Sequence, residues 1–154
     1  MMDLFGPNGC EGLRSYQANA LTAIANELIG YALAQPRHPA ALHTLADELQ
    51  HRAREAMRDI FGHNIDYDED RPERLYAIAV GSYALNELTL GRHDIAIGRN
   101  SGRTMRLGSR CILLGDNTLT PTPDSDGFVN IDNRLCFWRD TGEIAECPAP
   151  FVEE

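Results

Sequence analysis

Four side chains suggest chemistry first. His43, Asp47, His51 and Glu55 follow one another at intervals of four, so on a helix they form one continuous row. Imidazole and carboxylate at that spacing can share a divalent cation, and a cation held so could activate water for hydrolysis. The row stands opposite the apolar stripe of the same segment, however, and a polar row opposite a core stripe is the ordinary solvent side of a surface helix. No metal, no cofactor and no catalytic residue is therefore assigned, and a metal-dependent hydrolase using His43, Asp47 and His51 is kept only as an alternative.

A second group is acidic. Asp66, Asp68 and Asp70 match the first three ligand positions of a calcium loop. The match then breaks, because Arg71 stands where the loop needs glycine and Ala77 where it needs a bidentate acid. Asp124, Ser125, Asp126 and Gly127 give only a partial match of the same kind and read as a turn. Asp66, Asp68, Glu69 and Asp70 make better sense as a surface that meets a partner.

The third group is cationic. Arg99, Arg103, Arg106 and Arg110 fall within twelve residues, and the spacing places Arg106 and Arg110 on one side of a strand with Gly108 between them. Guanidinium forks so placed suit phosphate or carboxylate, and Phe137 and Trp138 could stack a base beside them. Arg99, Arg103, Arg106, Arg110 and Trp138 are the candidate ligand residues of an anionic-nucleotide or small-ligand binder. Arg103, nearest the turn, is expected to be the most exposed of them. The competing expectation is that these arginines pair with the acids of the chain. His93-Asp94 matches the HD phosphohydrolase pair in two letters only, and it follows Gly91 at an element end. No G-x-S-x-G, P-loop, G-x-G-x-x-G or H-E-x-x-H motif occurs.

Composition narrows the classes. The chain has 154 residues and a net charge of −9, and every one of its 14 basic residues is arginine. Residues 92–110 carry a net charge of +4 inside an otherwise acidic chain. Such a body repels polyanions, so direct nucleic-acid binding is not expected. The beginning of the chain lacks the basic and apolar runs of a leader, so none is expected, and the most apolar stretch, 75–85, which carries no charge, is too short to span a membrane. Cys10, Cys111, Cys136 and Cys147 form no C-x-x-C pair, which leads us to expect reduced thiols and a cytoplasmic location.

The elements that must position these residues read as follows. The sequence predicts an arm over 1–10 and a helix over 12–34 with Leu21, Ile24, Ala25, Leu28 and Ala32 on one face. A second helix is predicted over 39–61, with Leu42, Leu45, Ala46, Leu49 and Ala53 in its stripe. A third, opened by the Asp70–Glu73 capping box and closed by Gly91, completes a helical part over 11–91. The period then changes to two. Strands are predicted near 95–98, over 104–114, 128–131 and 135–138, and near 143–146, forming a β part over 92–147 and a tail over 148–154. The expectation is one α+β domain over 1–154, with three N-terminal helices packed on a C-terminal antiparallel sheet of hairpins. No internal repeat is read from the pattern.

Function follows by elimination. With no constellation that converges, the chain reads as a non-enzymatic, acidic interaction protein docking on a basic surface. In size and charge profile it resembles small phage-encoded inhibitors of defence or nucleic-acid machinery. Tyr16 and Ile29 lie off the main stripe of the first helix, so self-association into a homo-oligomer is expected.

Overall fold

The computed structural model describes residues 15–61 and 77–152. The predicted N-terminal arm, the acidic loop with Asp66, Asp68, Glu69 and Asp70, and the Asp70–Glu73 capping box lie outside the described residues. Two helices come first: α1 over Ser15–Leu33 and α2 over Pro39–Phe61. Gln35 Nε2 donates to the Tyr31 carbonyl at the end of α1, and Pro36 follows. Pro39 opens α2 where a missing N–H costs nothing, while His38 caps it through Nδ1 to the Ala41 amide at 3.3 Å. The two amphipathic faces meet in a helix hairpin.

Residues 78–80 are a strand and 81–94 are turns and bends, so over the described residues 77–91 the predicted third helix is not formed. Six strands make one mixed sheet in sequence order: β1 Ile78–Val80, β2 Ile95–Ile97, β3 Ile112–Leu114, β4 Phe128–Ile131, β5 Leu135–Trp138 and β6 Ile144–Ala145. β1 to β4 are parallel, and only β4–β5–β6 pair antiparallel as hairpins. The expectation of an all-antiparallel sheet is thus corrected, and so is the long strand over 104–114, of which only the last three residues are extended.

The register explains both corrections. Ile78 stands beside Ile95, Ile95 beside Ile112, and Ile112 beside Val129, each 17 residues on. Each connection is therefore one coil of a parallel β-solenoid, in which a backbone group bonds to its counterpart one coil away. These bonds run round the whole coil: Thr89 N to Arg106 O at 2.9 Å, Arg106 N to Pro123 O at 2.9 Å, Gly102 N to Thr118 O at 2.7 Å and Gly127 N to Ser109 O at 2.8 Å. The sequence does carry an internal repeat. Ile-Ala-Val-Gly, Ile-Ala-Ile-Gly and Ile-Leu-Leu-Gly recur at 78, 95 and 112. The glycine that ends each strand turns the corner at positive φ: Gly81 at 120°, Gly98 at 143° and Gly115 at 122°. A Cβ on Gly98 would run into the Gly115 carbonyl of the next coil.

Strand alternation then makes two cores. One face of the sheet presents Ile78, Val80, Ile95, Ile97, Ile112, Leu114, Val129, Ile131 and Phe137 to Leu21, Leu28, Leu42, Leu45 and Leu49 of the helix hairpin. The other face looks into the coil, where Ala96 and Leu113 meet Leu85, Leu88, Met105, Cys111 and Phe128. Asn130 occupies the next inward position and closes that column. Its amide donates to the Leu119 carbonyl and to Asn133 Oδ1, both at 3.0 Å, and its oxygen accepts from the Asn133 amide. No described helix is long and apolar enough to cross a membrane.

Candidate functional site at the seam between helix α2 and the coil corners

Helix α2 lies against the sheet with its apolar stripe, which brings its flank over the coil corners. On that flank stand His43, Asp47, Gln50 and Arg54. Facing them are His93, Arg110, Arg139 and Asp140. Arg139 is the hub. The residue is only 5% exposed, rare for an arginine; its two terminal nitrogens are bonded on three sides, while its buried Nε has no hydrogen-bond partner. Nη2 donates to Asp47 Oδ1 at 2.9 Å and to Gln50 Oε1, and Nη1 donates to the Arg110 carbonyl at 3.2 Å. The Arg139 carbonyl meets His43 Nδ1 at 2.7 Å. One residue thus ties the helix to two levels of the coil. Gly142 completes the docking, since a Cβ there would overlap Pro39 at the start of α2.

Next to this hub the Arg54 guanidinium reaches His93 Nδ1 at 2.9 Å. Burial lowers the His93 pKa below the ordinary imidazole value, and the positive charges of Arg54, Arg139, Arg92 and Arg110 lower it further. Both effects favour the neutral imidazole over the charged one. Arg110 donates to Asp140 at 2.7 Å, and that hydrogen bond keeps the Asp140 carboxyl below the usual range.

The metal row does not assemble. His43 and Asp47 turn to Arg139, while His51 meets Glu55, at 3.3 Å and in solvent. Among the described residues no three His, Cys, Asp or Glu side chains gather where a metal could sit. The candidate arginines do not gather either. Arg99 is held through its amide by Asp116 Oδ1 at 3.0 Å. Arg103 lies between the rings of Tyr83 and Phe151, at 4.2 and 4.6 Å, and donates to Asn100 Oδ1. It is half-buried, contrary to the expectation that it is the most exposed of the four; Arg106 is more exposed and approaches Glu87 only to 3.9 Å. Arg106 and Arg110 sit in a turn segment and not along a strand, so they share no strand face. Trp138 packs edge-on against Phe128 at 4.9 Å, and Phe137 is fully buried under the helices, so neither ring is presented beside those arginines. Of the five candidate ligand residues only Arg110 belongs to the seam.

Sequence reasoning passed over Arg54 and Arg139, and it met Asp94 only as part of the discounted His93-Asp94 pair. Asp94, immediately before β2, is 1% exposed and accepts from the Cys111 amide at 3.0 Å through Oδ1; Oδ2 has no hydrogen-bond partner. Burial pushes its pKa up to about 8, opposed by that amide and reinforced by Asp126. Cys111, one coil along, is a free buried thiol pushed up to about 12, chiefly by burial. Cys136 and Cys147 are joined in a disulfide, which corrects the expectation of reduced thiols at these two positions. A shallow hollow of about 110 Å³ lies between the helices, lined by Ile24, Glu27, Leu28, Tyr31, Arg52 and Ala56; Arg52 fills its rim by stacking on Tyr31 at 4.2 Å and pairing with Glu48 at 2.9 Å. No family model matches the chain, and no curated protein or solved structure matches it either.

Proposed function

We propose that the chain works by binding, as a non-enzymatic acidic interaction protein that docks on the basic surface of a protein partner. Its sharper form is a phage- or mobile-element-type inhibitor of nucleic-acid or defence machinery, acting in the cytoplasm. The observation that carries this reading is the use made of the reactive side chains. His43, Asp47, Gln50, Arg54 and Arg139 are engaged in fastening the helix hairpin to the coil, which is a structural use of side chains that could otherwise do chemistry. The rigid solenoid and the net charge of −9 suit a body that presents carboxylates to a positive groove. Asp66, Asp68, Glu69 and Asp70 are the residues proposed to meet the partner. Self-association is part of the proposal. Leu90 and Leu107, 56% and 48% exposed, occupy the same place on successive coils and supply an apolar ladder for a second copy. Sedimentation of the wild type and of Leu107→Glu tests this; an unchanged sedimentation coefficient removes the ladder from the account. Salt-dependent capture of a protein partner tests the function itself.

A second reading has one observation in its favour. Arg54, Arg92, Arg110 and Arg139 stand near enough to His93 to add to the burial that depresses its pKa, so guanidinium groups cluster at the seam, two of them paired with Asp47 and Asp140. A small phosphate or nucleotide could bind at its rim, through Arg92 and Arg110. Calorimetry with orthophosphate and a nucleotide panel decides it: binding lost in Arg92→Ala and Arg110→Ala supports the site, and no heat with any of them ends it.

A further inference from the structure

The C-terminal tail is fastened to the coil at two points. One is covalent: Cys136 on β5 is bonded to Cys147, just past β6. The other is a clasp. The Phe151 amide donates to the Asn117 carbonyl at 3.0 Å, and its ring lies against the guanidinium of Arg103, which also rests on the Tyr83 ring. Between the two points Pro148 and Pro150 stiffen the chain, so the place of Phe151 depends on where Cys147 is held. β6 is two residues long, with Ile144 half in solvent, and is a weak anchor by itself.

We propose that the Cys136–Cys147 disulfide is a thiol-sensitive latch, which holds tail residues 148–152 over the Arg103–Tyr83 corner and on reduction lets them go. The inference does not depend on the partner proposed above. Cys136 is 1% exposed and Cys147 is half-buried, so Cys147 is the sulfur open to attack. The thiolate of a small thiol of the glutathione class bonds to Cys147 Sγ as the Cys136–Cys147 bond breaks, and Cys136 leaves as thiolate and takes up a proton. A second small thiol attacks the sulfur of the first and releases Cys147 as a thiol. The disulfide is reduced by two electrons, and two small thiols become one small-molecule disulfide. What then holds the tail is β6 and the Phe151 clasp alone. Release bares a guanidinium and a phenol ring on one corner of the coil. In a reducing cytoplasm the corner is open, and oxidation closes it.

The test uses the full chain purified without reductant. Alkylation under denaturing conditions, followed by peptide mass mapping, is expected to leave Cys136 and Cys147 linked and unmodified while Cys111 is alkylated. Amide exchange at Phe151 is then compared before and after a phosphine reductant, and in Cys147→Ser. The expected result is exchange at least about tenfold faster at Phe151 in both cases, with Ile95–Ile97 unchanged. Alkylation of both Cys136 and Cys147 in the unreduced protein overturns the proposal, as does a smaller acceleration at Phe151. Equal loosening of Ile95–Ile97 also overturns it, because the bond would then be a staple of the whole fold.

Discussion

Asp94 offers a prediction with a sign and a size. Its carboxyl is buried just before β2, and its Oδ2 occupies the same cramped space as the Gly108 carbonyl beside Gly91. The group keeps its proton up to about pH 8 in the folded chain, against 3.8 as its ordinary value. Between those limits the unfolded chain gives up the proton and the folded chain does not. The Asp94 contribution to folding stability therefore falls as pH rises from 4 to 8 and levels off above that. At about 1.4 kcal/mol per unit over some four units, the burden approaches roughly 5 kcal/mol. Asp94→Asn keeps an oxygen for the Cys111 amide and cannot ionise. Urea unfolding of both proteins between pH 4 and 9 should give a difference curve that climbs in favour of the Asp94→Asn variant across this window. At pH 8 the variant is expected to be the more stable by several kcal/mol. A flat difference across the window would refute the reasoning, since it would mean that the carboxyl ionises in place or is solvated.

Arg139→Met removes the hub while leaving its volume filled; it should cost about 2–4 kcal/mol in urea unfolding, whereas Asp47→Asn, on the exposed partner, should cost under about 1 kcal/mol. Equal costs would contradict the role given to Arg139. Gly98→Ala should destabilise by more than about 2 kcal/mol, because it adds a Cβ at positive φ against the next coil, while Gly30→Ala, in open space on α1, should gain up to about 1 kcal/mol of thermal stability. The His93 ring should titrate below 6.5 by proton NMR and move upward in Arg54→Gln; a wild-type value at or above 6.5 would remove the positive surroundings from the account.

Much of the fold is legible in the residues. The bounds of α2 follow from Pro39, its leucine stripe and Gly62, and β4 and β5 follow from apolar runs around Asp132-Asn133. The segment over 78–90 misleads because an uncharged apolar run has no period that separates a buried helix from a coil of short strand and turns. The deciding signal is not local. It is the return of Gly81, Gly98 and Gly115, and of Asn100 and Asn117, at a spacing of 17. Missing it turns the repeat into hairpins and puts Arg106 and Arg110 on a strand. The seam was less legible. Arg139 lies 92 residues from Asp47, and nothing in the surroundings of either residue in sequence announces the other. His43 and Asp47 were legible as a pair on one helix flank, but what they meet is a guanidinium and a carbonyl.

Docking of this acidic chain on a basic protein surface is best read by quantitative capture. The full chain is immobilised and exposed to extract of its native host, at low salt and at about 0.5 M salt, where charge attraction is screened within a few ångströms. One stoichiometric protein should be retained at low salt, released at high salt, and absent when Asp66, Asp68, Glu69 and Asp70 are replaced by their amides. Failure to retain any stoichiometric protein, or retention indifferent to both salt and the amide replacements, would contradict it.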